Sequence, residues 1–306
     1  NAAAAFSQIE NGMLLDLAHD AMKNGSVMRA VYEQPALARQ DGLWMLNNKR
    51  WGRIGGVNGH GYNLTIGKDF LSDEHGYYGL LFDYGSNTVS GAAGSGEYDS
   101  YSLGLYAGNK NKPGSITGFV SYGLQANKGT AYLPVLGQTA ESGYDSKTLG
   151  IGVEYAYDLD YGKPEELWHV SPYARINFTH YRQKAFREHG AGVFDRSFGS
   201  YSDNYAEGEL GLSFDRSEGA GGYGIRLGYK RILTGERQLM EVCFAEDECG
   251  SLLPVRSWGE GRNHFVAAAY VRHDFSRKWS AGGSLSGDWS NGGREIGARL
   301  DLAYHF

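Results

Sequence analysis

Three glutamates, Glu154, Glu207 and Glu209, stand on the polar parity of "TLGIGVEYAYD" and "EGELGLSFD". Carboxylates gathered on one face can polarise an amide or take its proton if they come within hydrogen-bond reach of it. Arg175, Arg226, Arg272 and Arg299 hold the same parity in their own segments and could anchor such acids, and Asp301 joins them two positions past Arg299. The plain alternative is a set of structural ion pairs. His180 and His189 with Asp195 and Asp203 offer an acid–base pairing for a hydrolytic site, on location alone. His273 reads as an interfacial residue near a strand end. Cys243 and Cys249, in "VCFAEDECG", lack the further Cys or His ligands that a zinc site wants. They read either as a small loop disulfide formed in an oxidising compartment or as two free thiols. No phosphate-binding glycine loop occurs.

The elements that must position these residues are strands. In the closing "IGARLDLAYHF", Ile296, Ala298, Leu300, Leu302, Tyr304 and Phe306 alternate with Arg299, Asp301 and His305. Such two-residue alternation makes a strand with one apolar and one polar face. The same period runs through "WSAGGSLSGDWS", "YGIRLGYK", "LWHVSPYARINFTHY", "YNLTIGKDF", "YYGLLFDYG", "YSLGLYAG", "SITGFVSYGLQ" and "HFVAAAYVRHDF". About twelve strands fill residues 42–306, with "MLNNKRWGRIGG" the least regular. Among the six prolines, Pro172 alone falls inside a proposed strand, as expected of a residue that interrupts a ladder.

The polar face decides between a water-soluble sandwich and a closed barrel. It is mostly Gly, Ser, Ala, Asn and Thr with a few charges of both signs, which suits a crowded inner wall. The apolar face is aromatic near its ends and aliphatic in the middle, as a lipid-facing band would be. Composition agrees: 306 residues with 46 Gly and 22 Tyr, a mean hydropathy of −0.45, and no apolar run long enough for a spanning helix. The net charge of −6 argues against nucleic acid as a partner.

Residues ahead of the strands differ. Phe6, Ile9, Met13 and Leu17 recur at helical spacing, predicting a helix over about 4–23 that Asn24-Gly25 stops. Gly12 weakens it by about 1 kcal/mol relative to Ala. Residues 25–41 read as a linker, so that 1–41 forms a threading segment and 42–306 the barrel. Turns near 71–76, 109–114, 159–165, 216–222 and 275–278 are expected to be short. Connections near 86–97, 128–143, 184–200 and 234–262 are expected to be longer, with a short turn at Asn291-Gly292. Short turns inside and long loops outside would place both barrel termini in the periplasm. "NAAAAFSQIE" has no signal-peptide pattern, which for an exported protein suggests a fragment of something longer.

These parts resemble the translocator domain of classical type V autotransporters. The resemblance rests on the Ala-rich helix leading into about twelve strands, on "DSYSLGLYAG" in the middle, and on "LDLAYHF" at the end. It implies an all-β, 12-stranded antiparallel transmembrane barrel with the helix in its pore, carrying Ser7, Glu10, Asn11, Asp16, His19 and Asp20 into a polar lumen. It implies a monomer in the bacterial outer membrane that exports an N-terminal passenger and needs no cofactor. Arg175, Arg226, Arg272, Arg299 and Asp301 would line the pore. Leu302, Tyr304 and Phe306 would form the signal read by the barrel-assembly machinery. In some members an asparagine side-chain nitrogen attacks its own main-chain carbonyl and frees the passenger. Asn1, with Glu154, Glu207 and Glu209, is the candidate set for that step. The alternatives are an outer-membrane porin or a protease-like barrel enzyme without a passenger.

Overall fold

The computed structural model describes residues 12–24, 30–32, 41–71, 76–109, 113–161, 168–247 and 249–306. Among the described residues, the helix α1 (Met13–Lys23) precedes seventeen strands. The first eight are β1 (Gly42–Ile54), β2 (Val57–Leu71), β3 (Gly76–Gly91), β4 (Gly94–Asn109), β5 (Gly114–Leu133), β6 (Gln138–Tyr157), β7 (Leu159–Tyr161) and β8 (Trp168–Gln183). There follow β9 (Phe186–Arg187), β10 (Arg196–Phe198), β11 (Tyr201–Glu218), β12 (Gly221–Thr234), β13 (Leu239–Phe244) and β14 (Leu252–Arg256). The last three are β15 (Asn263–Asp274), β16 (Trp279–Ser290) and β17 (Gly293–His305).

Strands β1–β6, β8, β11, β12 and β15–β17 pair with their neighbours, all antiparallel, and close on themselves as a 12-strand barrel. The short β7 extends the line of β6 along β8. First and last strands zip together from Gly42↔His305 to Ile54↔Gly293, so no edge is left open there. Gly42 and Phe306 mark what is here termed the near end; the opposite rim is the far end.

Alternation explains the wall. On β5, Ile116, Val120, Tyr122 and Leu124 face outward and are exposed, while Gly123, Gln125 and Asn127 face in. Exposed aromatics gather at two levels: Trp51, Tyr101, Tyr122, Tyr229, Phe265 and Trp289 toward the far end, and Tyr78, Tyr155, Trp168, Tyr223, Trp279 and Phe306 toward the near end. Leu80, Leu103, Ile151, Leu210, Leu285 and Leu300 lie between them. From Tyr62 to Phe70 on β2, about eight residues at about 3.3 Å each and a tilt near 40° give a belt roughly 20 Å tall.

Two expected loops turn out to be strand. The connections placed near 86–97 and 128–143 contract to residues 92–93 and 134–137, because β3–β6 run on past the aromatic level. There the polarity of the faces reverses. Lys128, Glu141, Asp145 and Lys147 point outward, and Ala131, Leu133, Ala140 and Tyr144 point in. Once the wall leaves an apolar surround, water takes over the outer face and the inner face becomes an ordinary apolar core. The two longest loops fold over this rim as a second sheet, in the order β14-β13-β10-β9. It holds a buried ion pair in which Arg196 donates to both Glu188 oxygens, at 2.8 and 2.7 Å.

The helix begins at Met13, and the predicted turns before residue 12 lie outside the described residues. Within the expected linker, residues 30–32 are helical and buried, since Ala30, Val31 and Tyr32 pack against Trp44, Leu46, Tyr77 and Leu81 of the inner wall.

Gly129 marks where the wall yields to the helix: a Cβ there would stand 2.3 Å from Leu14 Cδ2. Gly129→Leu should therefore lever Leu14 off the wall. Limited proteolysis of the folded barrel in detergent should show cleavage within residues 12–24 rising about tenfold, while the outward-facing Ala126→Leu leaves it unchanged.

Candidate functional site

In α1, Asp16, His19, Asp20 and Lys23 fall at i, i+3, i+4 and i+7 and so share one face. The opposite face carries Met13, Leu14, Leu17, Ala18 and Ala21. Both faces are buried, because the helix lies inside the barrel. Met13, Leu14 and Leu15 sit beneath the second sheet with Phe198, Met240, Val242 and Val255, at the far end. The Tyr32 ring lies at the near-end side, 5.7 Å from that of Phe119 and 4.9 Å beneath the Arg175 guanidinium. The chain thus runs down the lumen from far end to near end before β1 begins.

The polar face of the helix meets polar partners from the wall and from one loop. Arg50 on β1 donates to both oxygens of Asp20, at 2.8 and 2.5 Å, to Asn87 Oδ1 at 2.8 Å, and to Glu295 Oε2 at 3.3 Å. The Tyr98 hydroxyl donates to Asp20 Oδ2 at 2.7 Å. On the other flank, Glu260 reaches in from the loop after β14, with Oε1 3.1 Å from His19 Nε2 and Oε2 3.1 Å from Lys23 Nζ. Tyr205 donates to Glu260 at 3.0 Å and lies 3.2 Å from Glu207. Lys230 bridges Glu207 and Asp288, and His264 Nδ1 lies 2.6 Å from Asp288. The Trp258 backbone N–H donates to Asp16 at 2.6 Å, pinning the same loop to the first helical turn.

A second tier lies below the helix. Arg175 donates to Glu154 at 2.6 Å and stands 3.8 Å from Glu209; Arg226 stands 3.8 Å from Glu154. The Tyr173 hydroxyl donates to Glu209 at 2.6 Å. Cavities of about 60 and 70 Å³ flank the helix end, one lined by Asn24, Tyr98 and Glu207, the other by Lys23, Glu209 and Lys230. Such volumes hold a few waters and are far too small for an extended chain.

The expected site residues therefore distribute as follows. Glu154, Glu209, Arg175 and Arg226 share one lumenal network, and Glu207 belongs to the neighbouring one with Tyr205, Lys230 and Asp288. Arg272 pairs with Asp274 at 2.8 Å, and Arg299 lies 3.8 Å from Asp301, both elsewhere on the wall. Asn1 lies outside the described residues. Cys243 and Cys249 are joined as a disulfide across the β13–β14 connection. His180 meets Asn204, His189 pairs through its backbone with Glu141, Asp195 accepts from the Ala191 N–H, and Asp203 from Tyr201. Each is held by a separate local partner. At the near end Tyr304 packs against Trp279 and Phe306, and Leu302 faces outward. Sequence reasoning missed Arg50, Tyr98 and Glu260, and took Asn24 only as a helix stop. Arg50 was legible by parity; Glu260 sits in a loop without period.

A closed twelve-strand barrel with an outward apolar belt, filled by its own N-terminal helix, defines a class of outer-membrane protein. Residues 43–286 match the Autotransporter beta-domain family, and the chain belongs to it. No curated protein matches. Among solved structures, the translocator domain of NalP from Neisseria meningitidis superposes with a TM-score of 0.78 at 18% identity, covering 95% of this chain and 97% of that one. The transport unit of AIDA-I from Escherichia coli gives 0.70 at 12% identity, covering 97% and 99%. The β domain of BrkA from Bordetella gives 0.65 at 16% identity, covering 87% and 100%. The chain is an outer-membrane translocator barrel.

Removing Arg50 leaves Asp20 and Glu295 buried without their main cation, a loss of about 3–5 kcal/mol for a broken buried pair. Arg50→Ala should lower protection of the α1 amides in hydrogen exchange at least tenfold, and Arg50→Ala with Asp20→Ala should recover part of it.

The helix contacts should also depend on pH. Burial pushes the Glu260 carboxyl up, but Lys23, His19 and Lys230 outweigh it and hold it well below its ordinary 4.5. A lowered acid contributes stability that is present above about 4.5 and lost as pH falls through the lowered value. Protease access to α1 should rise between pH 5 and pH 2 in the wild type, and less in Glu260→Gln.

Proposed function

We propose that this barrel carries an N-terminally joined passenger across the outer membrane, with the near end in the periplasm and the far end at the cell surface. The observation that supports this most is the direction of the lumenal chain. The helix begins at the far end while β1 and Phe306 lie at the near end, the polarity that export of an N-terminally joined passenger through the far rim requires. The functional division is then a threading segment, 1–41, and a barrel, 42–306. The barrel acts as a monomer in lipid. Leu302, Tyr304 and Phe306 are presented at the near end, where the assembly machinery would read them. The buried ion pairs of α1 argue against an open diffusion porin.

A passenger with an epitope tag, fused ahead of residue 1 and expressed in a Gram-negative cell, should be labelled by antibody on intact cells and shaved off by added protease. A tag after Phe306 should stay protected. Passenger retained in the periplasm of cells with a folded barrel would contradict the proposal.

We place any self-cleavage at Asn24 rather than Asn1. Asn24 caps α1 inside the lumen, its side-chain nitrogen 3.1 Å from Asn87 Oδ1 and 3.4 Å from the Tyr98 hydroxyl. Attack of that nitrogen on the Asn24 carbonyl carbon would break the bond to Gly25, leave a succinimide on the released segment, and return a proton to the new Gly25 amine. Glu207 and Asn24 line the same small cavity, which has room for a water to relay a proton between them. A purified passenger-bearing chain should yield a fragment beginning at Gly25, and Asn24→Gln should stop it. An intact chain after refolding, or cleavage unaffected by Asn24→Gln, would overturn this placement.

A further inference from the structure

On the outer face where β1 meets β17, three exposed cations stand together. Lys49 and Arg53 face outward from β1 and Arg294 from β17, all exposed, and Arg53 lies directly across the ladder from Arg294. Like charges directly opposite one another on a sheet cost stability. Among the described residues no carboxylate comes within ion-pair distance of any of the three. The outward acids on this side, Glu97 and Asp99 on β4, are three strand spacings or about 14 Å around the wall. They already meet Lys128 and Tyr84. Arg53 Nε donates to the Gly55 carbonyl at 3.0 Å, which fixes the guanidinium at the rim.

Immediately below this cluster the wall sinks. A groove of about 630 Å³ runs across β15, β16, β17 and β1, floored by the small residues Ala269, Gly283 and Ala298 and walled by Val271, Leu285 and Leu300. Lys49 and Trp51 line its upper margin. Here alanine and glycine on adjacent strands leave room for something apolar to lie against the wall. A cationic rim above an apolar trough at the level of the far aromatic girdle matches a lipid with an anionic headgroup.

The charge count narrows the headgroup. A phospholipid with one phosphate brings one negative charge and leaves two of the three cations unpaired. One phosphate held between the directly opposed guanidiniums, which bind phosphate in bidentate fashion, and a second on the Lys49 ammonium, four residues or about 13 Å along β1, would engage all three cations. The trough is about three strand spacings across, wider than a single acyl chain. We propose that this face is a binding site for one molecule of a diphosphorylated, multiply acylated glycolipid, its phosphates on Lys49, Arg53 and Arg294 and its chains over Ala269, Gly283 and Ala298. The site goes beyond the translocator reading and stands apart from it: a barrel that exports its passenger but captures no such lipid would reject this site alone.

The test is native mass spectrometry of the purified 306-residue chain in detergent, titrated separately with diphosphoryl lipid A, monophosphoryl lipid A and phosphatidylglycerol. The wild type should form a 1:1 adduct with the diphosphoryl lipid at a concentration at least tenfold below that needed for phosphatidylglycerol. The monophosphoryl form should fall between them. Combined Lys49→Gln, Arg53→Gln and Arg294→Gln should abolish the preference. Gly283→Leu keeps all three cations, places its Cβ in ordinary contact with the wall, and fills the trough; it should weaken the adduct several-fold. A control pair on another face, Lys147 and Arg182, is also directly opposed across the ladder, and its double glutamine variant should bind as wild type. Equal affinity for phosphatidylglycerol, or equal loss in the control pair, would overturn the proposal, as would full binding by both the triple variant and Gly283→Leu.

Discussion

A closed barrel of twelve strands encloses more space than its own inward side chains can fill, and every charge turned into that space must find a partner there. The rest of this molecule follows from that constraint. The wall supplies Arg50, Tyr98 and Glu295, one long loop supplies Glu260, and the helix supplies Asp20, His19 and Lys23 to meet them. The contact of Arg50 with Asp20, shared by Asn87, Tyr98 and Glu295, is the centre of it. A helix held this way is a fitted part of the barrel, and its charges specify depth and rotation in a way that apolar packing alone would not.

The same strands serve two solvents in succession. Along β5 and β6 the outer face passes from Ile116, Val120 and Ile151 to Lys128, Glu141 and Asp145, while the inner face passes from Ser121 and Gln125 to Ala131 and Leu133. At the level of the belt the barrel is apolar outside and polar within; above it, the reverse. The upper section can therefore pack the first turn of α1 and the second sheet into a common apolar core, closing the far rim with residues from two long loops. The lower section keeps the polar lumen that a translocation pathway requires.

This reversal also explains what could be read from the chain in advance. Where a strand borders the belt, parity alone assigns each side chain, and Glu154, Arg175, Glu207 and Arg226 lie on the inner wall. Beyond the belt the alternation persists with opposite sense, so residues such as Lys128 and Glu141 read as loop. Asp16, His19 and Asp20 were expected on the helix, facing the lumen, but their partners were not legible: Glu260 belongs to a loop, and nothing in the order of residues says that this loop folds inward. Asn24 was legible as a helix terminus and illegible as a lumenal group, because burial there depends on the closure of strands far apart in the chain.

The central claim is that the helix is seated in the lumen and closes it. Single-channel conductance in planar bilayers tests this most directly, comparing the full chain with one lacking residues 1–24. The account predicts small, infrequent openings for the full chain and a several-fold larger, steady conductance once the helix is gone. Equal, large conductance in both would contradict it and make the barrel an open pore.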